Sequence, residues 1–489
     1  MRHVSQRHFH RISFKQNRSL NNMLDLPTSI VHPETSIEVH ETISEPAYTQ
    51  GDIVTLSSHK AGMTRRSFVG LAAATSISVL LSSCSTSGEG ASAQKIKFWD
   101  MPMGNERFNA LDKQIVSEYK PAAGLADVTY QVIQWNNFPA VFASAVASGT
   151  GPAVSSGGGT TVFEYVSKGK IAYADHLIES WKKNGIYDDI LPGLLDQLKT
   201  KDGHQAAVPQ NLSAIVMYYS PSLLEKANVA PPKDWQTYLE AAAALKKIGV
   251  YGLGTGAGAG NFQGGQTIVS WMIMNGGGLF NEDQQPDCVT DRNIEAVDFL
   301  IEMVRKGYSD PGAPTYTTTN VSAQWKAQKF GLGFDVPTLP DNVGAGWDGV
   351  IGSPMVGPHG DKGTLCFINN IMLWNDSPSQ KSGEAFLTYY FQNMAPLWTK
   401  GTMTALPPLK SIINTKEFQA DKNLMAVVNE WQPVMKTWAA PGKAMGANTP
   451  LVDGTSPMAD FAQNVLGGKV TAKEALVTLQ SALMSSVKS

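Results

Sequence analysis

Cysteine is scarce in this chain: three residues in 489, at positions 84, 288 and 366. That is too few for the disulfide framework that holds small secreted domains together. Cys288 and Cys366 can form one bridge or remain two buried, unpaired thiols, and the lack of framework spacing favours the unpaired state. Charge is thin as well. Asp, Glu, Lys and Arg make up 17% of the chain and the formal net charge is −3, so no long-range field recruits nucleic acid. Six of the nine histidines precede position 60, leaving His176, His204 and His359. None of these has the H-E-x-x-H or related spacing of a zinc site. No G-x-S-x-G nucleophile elbow and no G-x-x-x-x-G-K-[S/T] phosphate loop occurs. Gly254-Thr255-Gly256-Ala257-Gly258-Ala259 matches G-x-G-x-x-A, but without the strand–turn–helix context and downstream acid of a dinucleotide site. No cofactor, no metal and no catalytic residue is expected. Long apolar runs are missing too: Val69–Leu81 falls short of the roughly 20 residues that span a bilayer.

What is present begins with an export signal. Met63-Thr64-Arg65-Arg66-Ser67-Phe68 is followed by that small, apolar run and then Leu81-Ser82-Ser83-Cys84. A charged segment, an apolar segment and small residues before a cleavage point make a secretory signal. Arg65-Arg66 with Phe68 resembles the twin-arginine export signal, and Leu81–Cys84 resembles a bacterial lipobox, whose cysteine receives a diacylglyceryl group. Two acyl chains suffice for stable anchoring, since each buried CH2 contributes about 0.8 kcal/mol. The competing reading is a buried apolar helix with an incidental cysteine. Sixty-two residues precede Met63, so translation is expected to start there, with 1–62 a non-native upstream extension, 63–83 the signal peptide, and 84–94 the lipidated cysteine and a flexible Ser/Gly/Ala tether.

The remainder is long enough for two domains with sizeable cores. Lys95–Trp99 alternates like a strand; Phe108–Tyr119 has helical spacing; Val128–Ile133 reads as a strand and Phe138–Ser148 as a helix stopped by Gly149. Strands alternating with helices imply a parallel, helix-flanked sheet. Asp234 can N-cap a helix running to Gly249, and Glu295–Lys306 is another, ending at Gly307. Phe330–Asp335 and Leu365–Leu373 read as strands. Thr471 and Glu474 form a capping box for the final helix.

Several stretches, in order, resemble the extracellular solute-binding proteins of ABC sugar importers, the maltose-binding-like family. They are the Lys95–Trp99 strand, Ala147-Ser148-Gly149-Thr150-Gly151-Pro152, Lys168-Gly169-Lys170-Ile171 through Asp175, Val208–Asn211 through Ser220, Leu223–Ala227, Pro231–Trp235, Asn275–Phe280, Gln324–Phe334 and Asn369-Asn370. Ala153 stands where the family usually has Asp, so a side-chain bond supporting that turn is absent. The resemblance covers 95–489. It implies an α/β, two-lobed periplasmic-binding-protein fold (type II), with mixed sheets flanked by helices and a ligand cleft at the hinge. The lobes would be 95–208 plus 368–410 and 209–367 plus 411–489, with crossings near Ala207–Leu212 and Leu365–Asn370. It further implies a monomeric, non-enzymatic capture protein with a carbohydrate ligand and ABC permease partners, touching the membrane through its lipid only.

Sugar rings have apolar C–H faces and hydroxyl rims, which call for flat aromatics and planar polar groups. On that basis Trp99, Asn105, Phe262, Gln263, Trp271 and Asp335 are candidate ligand-binding residues; the resemblance further implies Ser156 and Gly158 after a strand, Asn211 and Asn370 at the crossings, and Trp438 and Asp453 in the C-terminal segment. Each has a plainer reading. A tryptophan at a strand end is as often core, Asn211 suits a turn, and Asp335 can start the Pro340-Asp341-Asn342 loop. Two other functions stay open: a secreted polysaccharide-degrading enzyme with two carboxylates brought together only in space, and an importer-independent adhesion or sensor lipoprotein.

Overall fold

The computed structural model describes residues 95–135 and 137–487. The upstream extension, Arg65, Arg66, Cys84 and the tether lie outside the described residues.

Strand β1 (Ile96–Asp100) buries Ile96 and Phe98 and exposes Lys97, the pattern its alternation predicts. Helix Phe108–Ser117 and strand β2 (Val128–Val132) follow. Helix Phe138–Ser148 ends at Gly149, whose φ of 65° is the left-handed cap that glycine adopts without strain. Strands β3 (Val154–Gly157) and β4 (Ile171–Ala172) complete the N-terminal alternation. Ala153, lacking the aspartate side chain, is held by backbone alone: its N–H donates to Lys97 O and its carbonyl accepts from Trp374.

The first sheet is mixed rather than parallel. Strand β1 runs parallel to β2 and β3, but β3, β4 and β5 (Val208–Ala214) all lie antiparallel to β9 (Thr364–Trp374). The reversal arises because β9 returns from the second half of the chain instead of following a βαβ crossover. Strand β10 (Met435–Lys436) adds a parallel edge. The second sheet is antiparallel, with order β7 (Leu332–Asp335), β6 (Val216–Tyr219), β8 (Val350–Ile351).

A single residue, Ile215, separates β5 from β6. Its N–H donates to Leu365 O at 3.0 Å, and its carbonyl accepts from the Thr364 hydroxyl. The two expected crossings are therefore neighbouring strands, hydrogen-bonded from Val208↔Ile371 to Ala214↔Cys366.

Each sheet has its own aromatic core. Phe98 packs against Tyr130, Phe386 and Tyr390. Trp271, on helix Gln263–Met274, packs against Trp235, Tyr238, Phe299 and Phe334. Such rings bury large apolar areas and prefer these edge and offset contacts. Asp234 forms a capping box with Thr237 before helix Trp235–Lys247. Helix Asp291–Arg305 starts four residues earlier than expected because Thr290 caps it. Thr471 and Glu474 make their reciprocal bonds ahead of helix Ala472–Val487. That helix and Ser456–Gly467 pack on Asp291–Arg305. Cys288 and Cys366 are free and buried, and burial pushes both thiols up to about 12. Among the described residues no helix is long and apolar enough to cross a membrane.

Candidate functional site

The loops that follow the carboxyl ends of β1, β2 and β3 converge on one cavity. They contribute Pro102 to Asn105, then Trp135, Phe138 and Pro139, then Gly158 to Thr161 with Glu164. Open α/β sheets place ligands in this position. Strands β5 and β9 supply the floor through Asn211, Ser213, Phe367 and Asn369. The facing wall comes from 260–266, 336–342 and 450–455. The cavity holds about 610 Å³, within the roughly 300–1,000 Å³ typical of ligand sites. A wider groove of about 1190 Å³ lies between helices Trp235–Lys247 and Asp291–Arg305. It contains none of the candidate residues and is the more open of the two.

The structure brings six of the twelve candidates to the cavity: Asn105, Gly158, Asn211, Phe262, Gln263 and Asp453. Asn211 Oδ1 accepts from Asn369 Nδ2 at 2.9 Å, leaving its own buried Nδ2 without a partner. A Cβ on Gly158 would meet Thr161, Trp135 and Asp453 at 3.5–3.9 Å, so the glycine keeps a pocket open between them. Phe262 is 39% exposed, unusual for so large a ring.

The other six lie behind the cavity wall. Trp99 packs edge-on to Phe142 at 5.5 Å. Ser156 accepts from Met101 N–H, tying the ends of β1 and β3 together. Trp271 is at the centre of the second aromatic core, on the inward helix face. Asp335 is buried and accepts from Val336 N–H at 2.8 Å. Asn370 supports the glycine loop, its Nδ2 reaching Gly158 O at 3.3 Å. Trp438 sits behind the cavity, against Phe367 at 6.0 Å and beside Phe262 and Gly454. The split between Asn369 and Asn370 is strand parity, since successive side chains point to opposite faces.

The profile of the bacterial extracellular solute-binding protein family matches residues 108–395. The chain belongs to that family. A sugar transporter from Arthrobacter chlorophenolicus A6, solved with bound laminaribiose, is 46% identical, covering 80% of this chain and 99% of that one, at a TM-score of 0.76. An ABC substrate-binding protein from Listeria monocytogenes in complex with cycloalternan is 18% identical, covering 81% and 99%, at 0.67. Maltose-bound MalE3 of T. maritima is 15% identical, covering 80% and 99%, at 0.65; these two show the fold alone. A Brucella abortus (strain 2308) protein named only as a binding protein is 24% identical over 271 residues, 54% of this chain and 64% of that relative's length. The fold is the two-lobed, maltose-binding-like one, and the chain is an extracytoplasmic solute-binding protein rather than an enzyme.

The electrostatics of this solute-binding protein's cleft are one-sided. Glu164, Asp341 and Asp453 line it, while no Lys, Arg or His is among the described lining residues. Burial pushes the Asp453 carboxyl up to about 6, against the opposing effects of the Thr160 hydroxyl, which donates to it at 3.2 Å, and of Trp438. Burial also raises Asp341; Arg107 opposes the rise and Asp421 adds to it. Asp335, just behind, is pushed up to about 7 by burial, opposed by the Val336 N–H. Among the described residues no group of three or more His, Cys, Asp or Glu is placed to hold a metal ion.

Sequence reasoning passed over Trp135, Phe138, Phe367 and Asn369, which all line the cleft. A signal for the first two existed: aromatics in the connection leaving a parallel strand's carboxyl end. Trp135 is fixed there by its indole N–H, which donates to Pro102 O at 2.7 Å.

Proposed function

We propose that this solute-binding protein captures a short, uncharged oligosaccharide of the laminaribiose type and delivers it to an ABC importer. The observation that carries the reading is the cleft's chemistry. Apolar rings (Trp135, Phe138, Phe262, Phe367) stand among amides with free hydrogen-bonding capacity, Asn211 foremost. Sugar C–H faces match the rings and sugar hydroxyls match the amides and carboxylates. The laminaribiose bound by the 46%-identical relative supports the same ligand class. The lobes are 95–208 plus 368–410 and 209–367 plus 411–489, closing about the paired strands β5 and β9. A ligand that binds the closed form better shifts the population toward it, and the transporter reads that closure. Cys84, exported behind Arg65-Arg66, carries the lipid that holds the protein at the membrane.

Calorimetry with laminaribiose, and with maltose as a competitor of different linkage, tests the ligand. Saturable binding without sugar release supports capture; turnover of the sugar, or no binding across a panel of neutral oligosaccharides, overturns it. Fatty-acid labelling of wild type and Cys84→Ser in the native host tests the anchor. Label incorporated equally by both would remove it.

A further inference from the structure

The register of β5 against β9 slips between Pro209 and Asn211, so Gln210 is the extra residue of a β-bulge. A bulge leaves one residue outside the ladder and re-aims its side chain. Asn211 turns to the cleft, while Gln210 turns into the first lobe, fully buried. There Gln210 Nε2 donates to Asp100 Oδ1 at 3.2 Å. Asp100 ends β1, and beside it is Asp112 of helix Phe108–Ser117, also fully buried. Asp112 Oδ1 accepts from the Tyr390 hydroxyl at 2.7 Å. The second oxygen of each carboxyl, Asp100 Oδ2 and Asp112 Oδ2, makes no close hydrogen bond, with the Tyr130 hydroxyl the nearest further donor to Asp112 and Ser156 and the Met101 N–H those to Asp100. The two carboxyls are within hydrogen-bonding reach of each other.

Two carboxylates cannot bond one another, because each only accepts. One proton between them serves both oxygens and removes one of two like charges from a fully buried site. The groups facing the pair are Tyr130 from β2, Ser156 from β3, Gln210 from β5 and Tyr390 from helix Gln380–Asn393. None of them is a cation. Burial raises the pKa of both acids, and their mutual repulsion raises Asp112 further.

We propose that Gln210 is a positioning residue for the cleft, anchored by a proton-sharing Asp100–Asp112 pair that fixes the β5 bulge and thereby the amide of Asn211. The proposal rests on the binding role given to the cleft above. Loss of the shared proton puts two charges in contact behind Gln210 and frees the bulge. Affinity then falls as pH rises and the pair gives up its proton.

The test uses laminaribiose calorimetry from about pH 7.5 to 9.5, together with hydrogen-exchange protection of the 210–213 backbone amides in ligand-free protein. Wild-type affinity and protection are expected to fall about tenfold across this range, the scale of one hydrogen bond. Asp112→Asn supplies a permanent N–H donor to Asp100 and is expected to give flat profiles. Asp100→Asn serves as the second variant should the first not fold. Gln210→Met keeps the volume but removes the donor, and is expected to bind about tenfold more weakly, with lower protection. An unchanged pH response in the Asn variants, or wild-type affinity and protection in Gln210→Met, overturns the proposal. If wild type binds no laminaribiose yet protection responds as stated, the ligand assignment fails and the positioning role stands.

Discussion

At the scale of the residue, burial decides what each carboxyl does. Asp335 and Asp453 are held above their ordinary range by desolvation, so the folded protein keeps protons that the unfolded chain has lost. Stability is therefore fully present below about pH 4, where both states are protonated, and is lost as pH rises through about 6 and 7. Urea denaturation across that window should show the decline, and Asp335→Asn should flatten its upper part. Two aromatics separate packing from binding. Trp271→Ala removes the centre of a filled core and is expected to cost about 3–5 kcal/mol by chemical denaturation. Phe262→Ala, at a half-open site, should leave stability within about 1 kcal/mol while weakening oligosaccharide binding. The sequence does not distinguish these two rings. Both precede or follow glycine-rich, helix-forming stretches, and which helix face looks inward depends on strands nearly 100 residues away.

At the scale of the element, local chemistry is the readable part. Gly149 ends one helix and Asp234 starts another because φ preference and side-chain capping act within a few residues. Asp234→Ala should cost about 1 kcal/mol, checked by urea midpoints at constant m. Strand direction is a different matter. The spacing of β1 and β2 about a helix implies parallel neighbours, as found, yet nothing local in Thr364–Trp374 states that it runs against β3, β4 and β5. The β5 bulge is equally silent in the sequence, and it decides that Asn211 faces the cavity, while parity along β9 turns Asn369 there and Asn370 away. Six of the twelve candidates reach the cavity because loops after strand ends carry polar and aromatic residues. The other six lie behind its wall, because facing is set by pairing partners that the local sequence does not name.

At the scale of the molecule, a cleft walled by elements of both sheets makes ligand binding a whole-protein event. Laminaribiose at 100 times its Kd should raise the unfolding free energy by about 2.7 kcal/mol, and small-angle scattering should show a contraction. A thermal shift without contraction would place binding in a cleft that does not close. The lining itself carries a further consequence. With Glu164, Asp341 and Asp453 in the wall and no cation among the described lining residues, a uronic or phosphorylated sugar would give up its hydration for like charge alone. Neutral saccharides meet the same carboxylates as hydrogen-bond acceptors. If the cleft binds as proposed, sorting by charge comes before sorting by shape, and galacturonate or a sugar phosphate is expected to compete poorly with laminaribiose in a displacement titration.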